Sequence, residues 1–294
     1  YLTICFLGIP FITAYNVISS IFRGLGDSKS PMYFIAVACA VNIILDYLFI
    51  GFFHLGASGA ALGTTLSQAC SVLFALIAIK RKQTGLSLSG DCFRPQKKPL
   101  DKILNIGIPV ALQDGFIQIA FIIITIIANR RGLNAAAAVG IVEKIISFLF
   151  LIPSSMLSTV SALAAQNIGA GKKDRAWKGF YTAIITGCSV GVLIFMAGFF
   201  GGGFLSSFFT NDPEVIVQSA AYLKGFSVDC ILTCVLFSSI GYFNGCGKSI
   251  PVMIQGITSA FCIRIPVSII MSRLPDTSLT YVGMATPITT VYGI

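Results

Sequence analysis

The sequence predicts an all-α integral membrane protein, a polytopic helix bundle of two pseudo-symmetric six-helix lobes, of which this chain holds about nine transmembrane helices. Three observations predict it. Hydrophobic residues make up 55% of the chain and charged residues only 11%, with a mean hydropathy of +0.88, whereas a soluble domain carries about 25% charged residues. The apolar runs match the ~20 residues that a helix needs to cross a hydrocarbon core. Two breaks between such runs share one pattern: Phe22-Arg23-Gly24-Leu25-Gly26 followed by Pro31, and Phe243-Asn244-Gly245-Cys246-Gly247 followed by Pro251.

Taken in order, the runs place helices over residues 1–22, 32–53, 59–80, 102–128, 136–163, 178–204, 215–242, 250–272 and 280–294. The matching breaks follow the first and the seventh. An offset of six crossings preserves orientation, so the halves are expected to be parallel copies related by an axis along the membrane normal. Gly59-Ala60-Ala61 and Gly283-Met284-Ala285 repeat at nearly the same offset and support that register. The longest polar stretch, residues 81–101, is read as the inter-lobe linker. Residues 1–80 are then the last three helices of an N-terminal lobe, and 102–294 a C-terminal lobe whose last helix is cut short. The chain begins without methionine and stops inside an apolar run, so three further helices are expected before Tyr1. Pro10, Pro109, Pro153, Pro266 and Pro287 fall inside the runs, where neighbouring helices or an aqueous cavity must satisfy the freed backbone groups.

The net charge of +9 is a topology signal and not the footprint of a nucleic-acid partner. On one side of the nine-helix arrangement lie Arg23, Lys29, Lys80, Arg81, Lys82, Arg94, Lys97, Lys98, Lys102, Lys172, Lys173, Arg175, Lys178 and Lys248; the other side carries only Arg130, Arg131 and Arg273. The rule that cytoplasmic loops are enriched in Lys and Arg makes the first side, including the Lys80–Lys102 loop, cytoplasmic. Nine cysteines, with no Cys-x-x-Cys pair, and the single His54 offer neither a disulfide framework nor a metal site. Trp177, directly after a Lys172–Ala176 basic stretch, reads as an interfacial anchor.

Charges at membrane depth are costly and mark candidate sites. Asp46 lies in the second run, Asp114 in the fourth, Glu143 and Lys144 in the fifth, Asp229 in the middle of the seventh and Arg264 in the eighth. Glu143 and Lys144 point about 100° apart on a helix, so they do not simply pair with each other. Dispersed carboxylates suit reversible capture of Na⁺ or a proton, and neutral Gln68, Gln113, Gln118 and Gln255 are available to complete such a site. Structural ion pairing, of Asp229 with Arg264 above all, is the competing role. No Gly-x-x-x-x-Gly-Lys-Ser/Thr loop is present for ATP, and no cofactor is expected.

The chain resembles the multidrug and toxic compound extrusion (MATE) transporters. The resemblance rests on Phe22 to Asp27, Asn42-Ile43-Ile44-Leu45-Asp46, Gly59-Ala60-Ala61 with Thr64 and Gln68, Gln166-Asn167-Ile168-Gly169-Ala170-Gly171-Lys172, and Phe243 to Gly247, in the family's order. It implies a multi-pass cell-membrane antiporter, not an enzyme. Such a protein exports cationic or amphipathic drug-like organic solutes in exchange for Na⁺ or H⁺ by alternating access of its lobes, and is expected to work as a monomer among membrane lipids. It places Asp46 where proton-coupled members carry a first-lobe acid, and Asp229 where sodium-coupled members keep an aspartate. The companion glutamate of the latter has no clear match; Asp114 is the nearest acid, at a different spacing from Pro109. Two other readings are a lipid-linked oligosaccharide flippase of the same superfamily, which carries a more cationic cavity, and an intramembrane lipid-modifying enzyme, which would cluster its acids.

Overall fold

The computed structural model describes residues 2–81, 96–129, 133–273 and 279–294. Residues 82–95 of the polar stretch, with Arg130 and Arg131, lie outside them. The helices are α1 (Leu2–Gly24), α2 (Lys29–Asp46), α3 (Gly56–Arg81), α4 (Lys97–Asn129), α5 (Leu133–Leu149), α6 (Leu151–Gly169), α7 (Lys173–Ser207), α8 (Pro213–Ser227), α9 (Asp229–Gly245), α10 (Ser249–Thr258), α11 (Ile265–Arg273) and α12 (Leu279–Gly293). π-helical segments, Tyr47–Phe52 and Ser259–Arg264, continue α2 and join α10 to α11. No strand occurs among the described residues.

Seven helical stretches are long and apolar enough to cross a membrane, and the bent pair α8–α9 makes an eighth. The ninth expected span, α12, has 15 residues; at 1.5 Å per residue it is about 22 Å long, short of a ~30 Å hydrocarbon core. Large apolar side chains face outward along the helices, among them Leu7, Tyr47, Leu193, Phe200 and Phe204. This is the surface of a protein whose solvent is lipid, and the chain is a multi-pass membrane protein.

The chain divides into two compact units, Tyr1–Pro95 and Gln96–Ile294. In the first, Phe22 and Phe34 meet edge to face at 5.5 Å and form a core with Ala75 and Ile79. In the second, Ala138, Val139, Val142 and Ile145 of α5 pack on Val215, Tyr222 and Leu223 of α8, and Ile194 packs with Phe226 and Cys230.

Both sequence-matched breaks adopt the same turn, and a third occurs between α6 and α7. Gly26, Gly171 and Gly247 take positive φ of 86°, 74° and 75°. In each, the residue after the glycine donates back to the carbonyl five residues earlier: Asp27 N to Phe22 O at 2.9 Å, Lys172 N to Asn167 O at 2.8 Å and Lys248 N to Phe243 O at 2.9 Å. This is the glycine-terminated helix end, in which a left-handed residue lets orphan carbonyls find donors. The copies differ in detail. Phe22 is fully buried whereas Phe243 is exposed, and the Asp27 carboxylate accepts from Lys29 N and Ser30 N, both at 3.1 Å, a role that Lys248 cannot fill.

The 136–163 and 215–242 runs are each broken where a single helix is expected. Pro153 supplies no N–H to the Leu149 carbonyl, and the first run breaks at Phe150. The second bends by 45° at Val228. Single cysteines at Ser89 and Asn211, in full-length protein freed of native cysteines, are expected to label from opposite faces of intact cells; labelling from one face would overturn the charge-based topology. Asn211 is preferred to Asp212, whose carboxylate accepts from Glu214 N at 2.9 Å and caps α8.

Candidate functional site

The bend at Val228 decides where the site lies. Asp229 is the first residue of α9, so the carboxylate emerges at a break in a membrane-spanning helix, where backbone groups are not all used by the helix itself. Asp229 is 1% exposed. Thr233, one turn on, donates to Oδ2 at 2.9 Å, while Oδ1 is buried with no hydrogen-bond donor. Thr290 lies beside the carboxylate, but its hydroxyl donates to Thr286 O at 3.1 Å.

Asp229 opens on a cavity of about 670 Å³ inside the second unit. Gln113, Ile117 and Phe121 of α4 form one wall, Phe150 and Phe237 another, and Thr286, Thr289 and Thr290 of α12 a third. Gln255 and Gly256 of α10 with Ser259, Ala260 and Arg264 of the π-helical segment complete it. Gln113 owes its place to a glycine: a Cβ on Gly256 would stand 2.7 Å from the Gln113 Cγ and Nε2. Arg264 is buried. Its guanidinium stacks over Phe121 at 4.2 Å, and Nη2 donates to Thr286 Oγ1 at 3.4 Å. No ion pair joins it to Asp229 among the described residues.

Glu143 lines a second depression with Gln118, Thr125 and Tyr222; Phe121 and Phe226 border it, and Phe121 belongs to both cavities. Thr125 donates to Glu143 Oε1 at 3.2 Å. Lys144, the next residue, is exposed on the other face of α5. Asp114 is exposed on α4 and lines neither cavity.

Asp46 and Gln68 belong to the first unit. Asp46 closes α2 where the helix passes into its π-helical segment, a distortion that recurs at functional positions. Its Oδ1 is buried without a partner, as is Asn42 Nδ2 one turn earlier. Asp46 Oδ1 occupies the space where a Cβ of Gly63 would stand, so the acid lies directly on the α3 backbone. Gln68 is half-buried on α3.

Of the sequence candidates, the structure thus brings Gln113, Asp229 and Arg264 together, sets Glu143 beyond Phe121 and leaves Asp114 and Lys144 outside. Sequence reasoning missed Phe121, Thr233 and the α12 threonines. Thr286, Thr289 and Thr290 stand at i, i+3 and i+4, one face of a helix, and that spacing was the available signal.

The fold and the sequence agree on a family. The model of the MatE family matches residues 1–48 and 109–270. The chain belongs to the MatE family. The chain is 31% identical over 273 residues to "Probable multidrug resistance protein YpnP" of Bacillus subtilis (strain 168), covering 92% of this chain and 61% of the relative. It is 27% identical over 274 residues to "Multidrug export protein MepA" of Staphylococcus haemolyticus (strain JCSC1435), with 93% and 60% covered. The chain therefore spans less than two thirds of the length of these curated relatives. Among solved structures, a MATE in complex with MaL6 superposes with a TM-score of 0.93 at 21% identity, covering all of this chain and 66% of that one. An outward-facing multidrug resistance MATE family transporter of the MOP superfamily gives the same TM-score, identity and coverage.

Proposed function

We propose that the protein of which this chain is part is a secondary active antiporter that exports drug-like organic solutes across the cell membrane in exchange for Na⁺ or H⁺. The observation that carries the proposal is Asp229 at a helix break, buried with one oxygen unsatisfied, on a cavity whose other walls are aromatic rings, glutamines and hydroxyls. An acid held this way is expensive in a membrane and needs a reason. Exchange supplies it: a cation neutralises the carboxylate in one step, and its departure leaves the charge that draws in the next ligand. The aromatic walls take a flat apolar body, while Gln113, Gln255 and the threonines offer hydrogen bonds without fixing one geometry, as suits solutes of varied shape. Relatives named for multidrug export and resistance support the same reading. No metal or organic cofactor is required; the ion is cargo. Alternating access of the two lobes is the mechanism by which the cavity would change sides.

Asp46 offers a second exchange site in the first unit, where Asn42 and the π-helical segment flank it. Asp46→Asn and Gly63→Ala are expected to lower efflux in parallel, because the methyl added by the second substitution would evict the carboxylate from its seat on α3. Intact efflux in Gly63→Ala would remove Asp46 from the mechanism.

The deciding experiment uses the full-length protein in vesicles: efflux of a fluorescent organic cation under an imposed Na⁺ gradient, then under an imposed pH gradient. Movement driven by one gradient identifies the coupling ion. No movement under either would overturn the antiporter.

A further inference from the structure

Arg264 is chemically out of place in a cavity that selects cations alone. It is 8% exposed, carried at the end of the π-helical segment Ser259–Arg264 and turned into the same space as Asp229. A buried guanidinium ordinarily has its fork filled by a carboxylate, since losing water from a cation costs more than a cation–π contact returns. Here the fork is unfilled. No carboxylate oxygen lies within 4.0 Å of it among the described residues. Nε is buried without an acceptor, and Nη2 has only the long 3.4 Å contact to Thr286 Oγ1. The two charged groups of the cavity therefore stand apart, each with an unsatisfied polar atom, instead of cancelling as a strut would.

We infer that Arg264 is a carboxylate subsite of the solute cavity, and that the solutes include aromatic carboxylates that also bear a cationic group. The planar fork of Arg264 receives the carboxylate in two parallel hydrogen bonds. Phe121, already stacked on the guanidinium, and Phe150 receive the aromatic body. The free oxygen of Asp229 faces the cationic end, the position for which the coupling ion competes. Zwitterions are thereby held at both ends, whereas a plain cation leaves the arginine unfilled and is partly repelled by it. The word solute rests on the efflux reading above; the subsite itself rests on the geometry alone.

The test uses two dyes that differ only in esterification of one carboxyl, rhodamine 110 as the free acid and rhodamine 123 as its methyl ester, bound to purified full-length protein and read by fluorescence polarisation. The wild type is expected to bind the acid at least tenfold more tightly than the ester. Arg264→Gln should bring that ratio close to one, and Arg264→Lys, which keeps the charge but not the fork, should fall between. A ratio near one in the wild type, or a ratio unmoved by Arg264→Gln, would overturn the subsite and show a structural arginine. Should Arg264→Gln not fold, wild-type competition decides. Benzoate displacing the acid dye, with equimolar chloride and benzylamine ineffective, supports the subsite; displacement by chloride as effective as by benzoate overturns it in favour of a simple anion site. Vesicle export separates this from the efflux reading: selective acid binding without gradient-driven export leaves the subsite standing and sinks efflux, and export of both dyes at equal affinity does the reverse.

Discussion

Asp229→Asn is expected to leave a folded protein that no longer exports solute against a gradient. The change is isosteric, and the amide oxygen can still accept from Thr233 at the position of Oδ2, 2.9 Å away. A carboxylate near the bilayer centre costs a few kcal/mol on insertion scales, so removing its charge should leave the melting temperature within a few degrees or raise it. Ion-driven efflux should fall at least tenfold, about 1.4 kcal/mol of lost coupling, because the amide cannot neutralise or release a cation. The alternative, Asp229 as a structural partner of Arg264, predicts a different outcome: stranding one member of a buried pair costs about 3–5 kcal/mol. The separation of the two groups argues against it. Thermal stability and efflux of Asp229→Asn, Arg264→Gln and the double variant distinguish them. If each single variant unfolds early and the double variant recovers both stability and transport, Asp229 is a strut.

The largest effect on stability is expected at Gly241. Helices α6 and α9 approach so closely there that a Cβ on Gly241 would stand 2.5 Å from Leu157 O and 3.2 Å from Leu157 Cα; Gly245, one turn on, would bring one 2.5 Å from Ser161 O. These are backbone atoms, so no side chain can swing aside and the helices must part. Glycine at such crossings is how membrane helices come within packing distance, and forcing a methyl between them costs about 1–3 kcal/mol by overpacking. Gly201→Ala is the control: that glycine is helical and has nothing within 4 Å of its would-be Cβ. Alanine there should be neutral or stabilising by up to ~1 kcal/mol, since it is the better helix former. Melting Gly241→Ala and Gly201→Ala in the same detergent tests the contrast; equal melting temperatures would show that the α6–α9 crossing is not under this constraint.

Gly241 also marks the limit of what the one-dimensional pattern holds. Membrane residence follows from composition, because a helix that satisfies its own backbone bonds needs only apolar side chains to be stable in lipid. The apolar runs, the turns at Gly26 and Gly247 and the positions of Asp46, Asp229 and Arg264 in their runs were legible for the same reason: each depends on residues adjacent in the chain. The Gln166–Lys172 stretch carries the same turn, visible as Gly169-x-Gly171, but its likeness to the other two emerged from the backbone. Where chain-local rules end, the tertiary structure decides. The bend at Val228 has no proline to announce it, and without it Asp229 would be one residue in a continuous helix and not the head of a broken one. Whether Asp229 meets Arg264 as a partner or across a cavity depends on four helices from distant parts of the chain, and so does the choice of Gln113 over Asp114, neighbours that α4 turns about 100° apart. An apolar pattern states how much of a helix must avoid water. In lipid, where every face is allowed to be apolar, it does not state which face meets protein, and only packing selects the few polar groups that look into the same space.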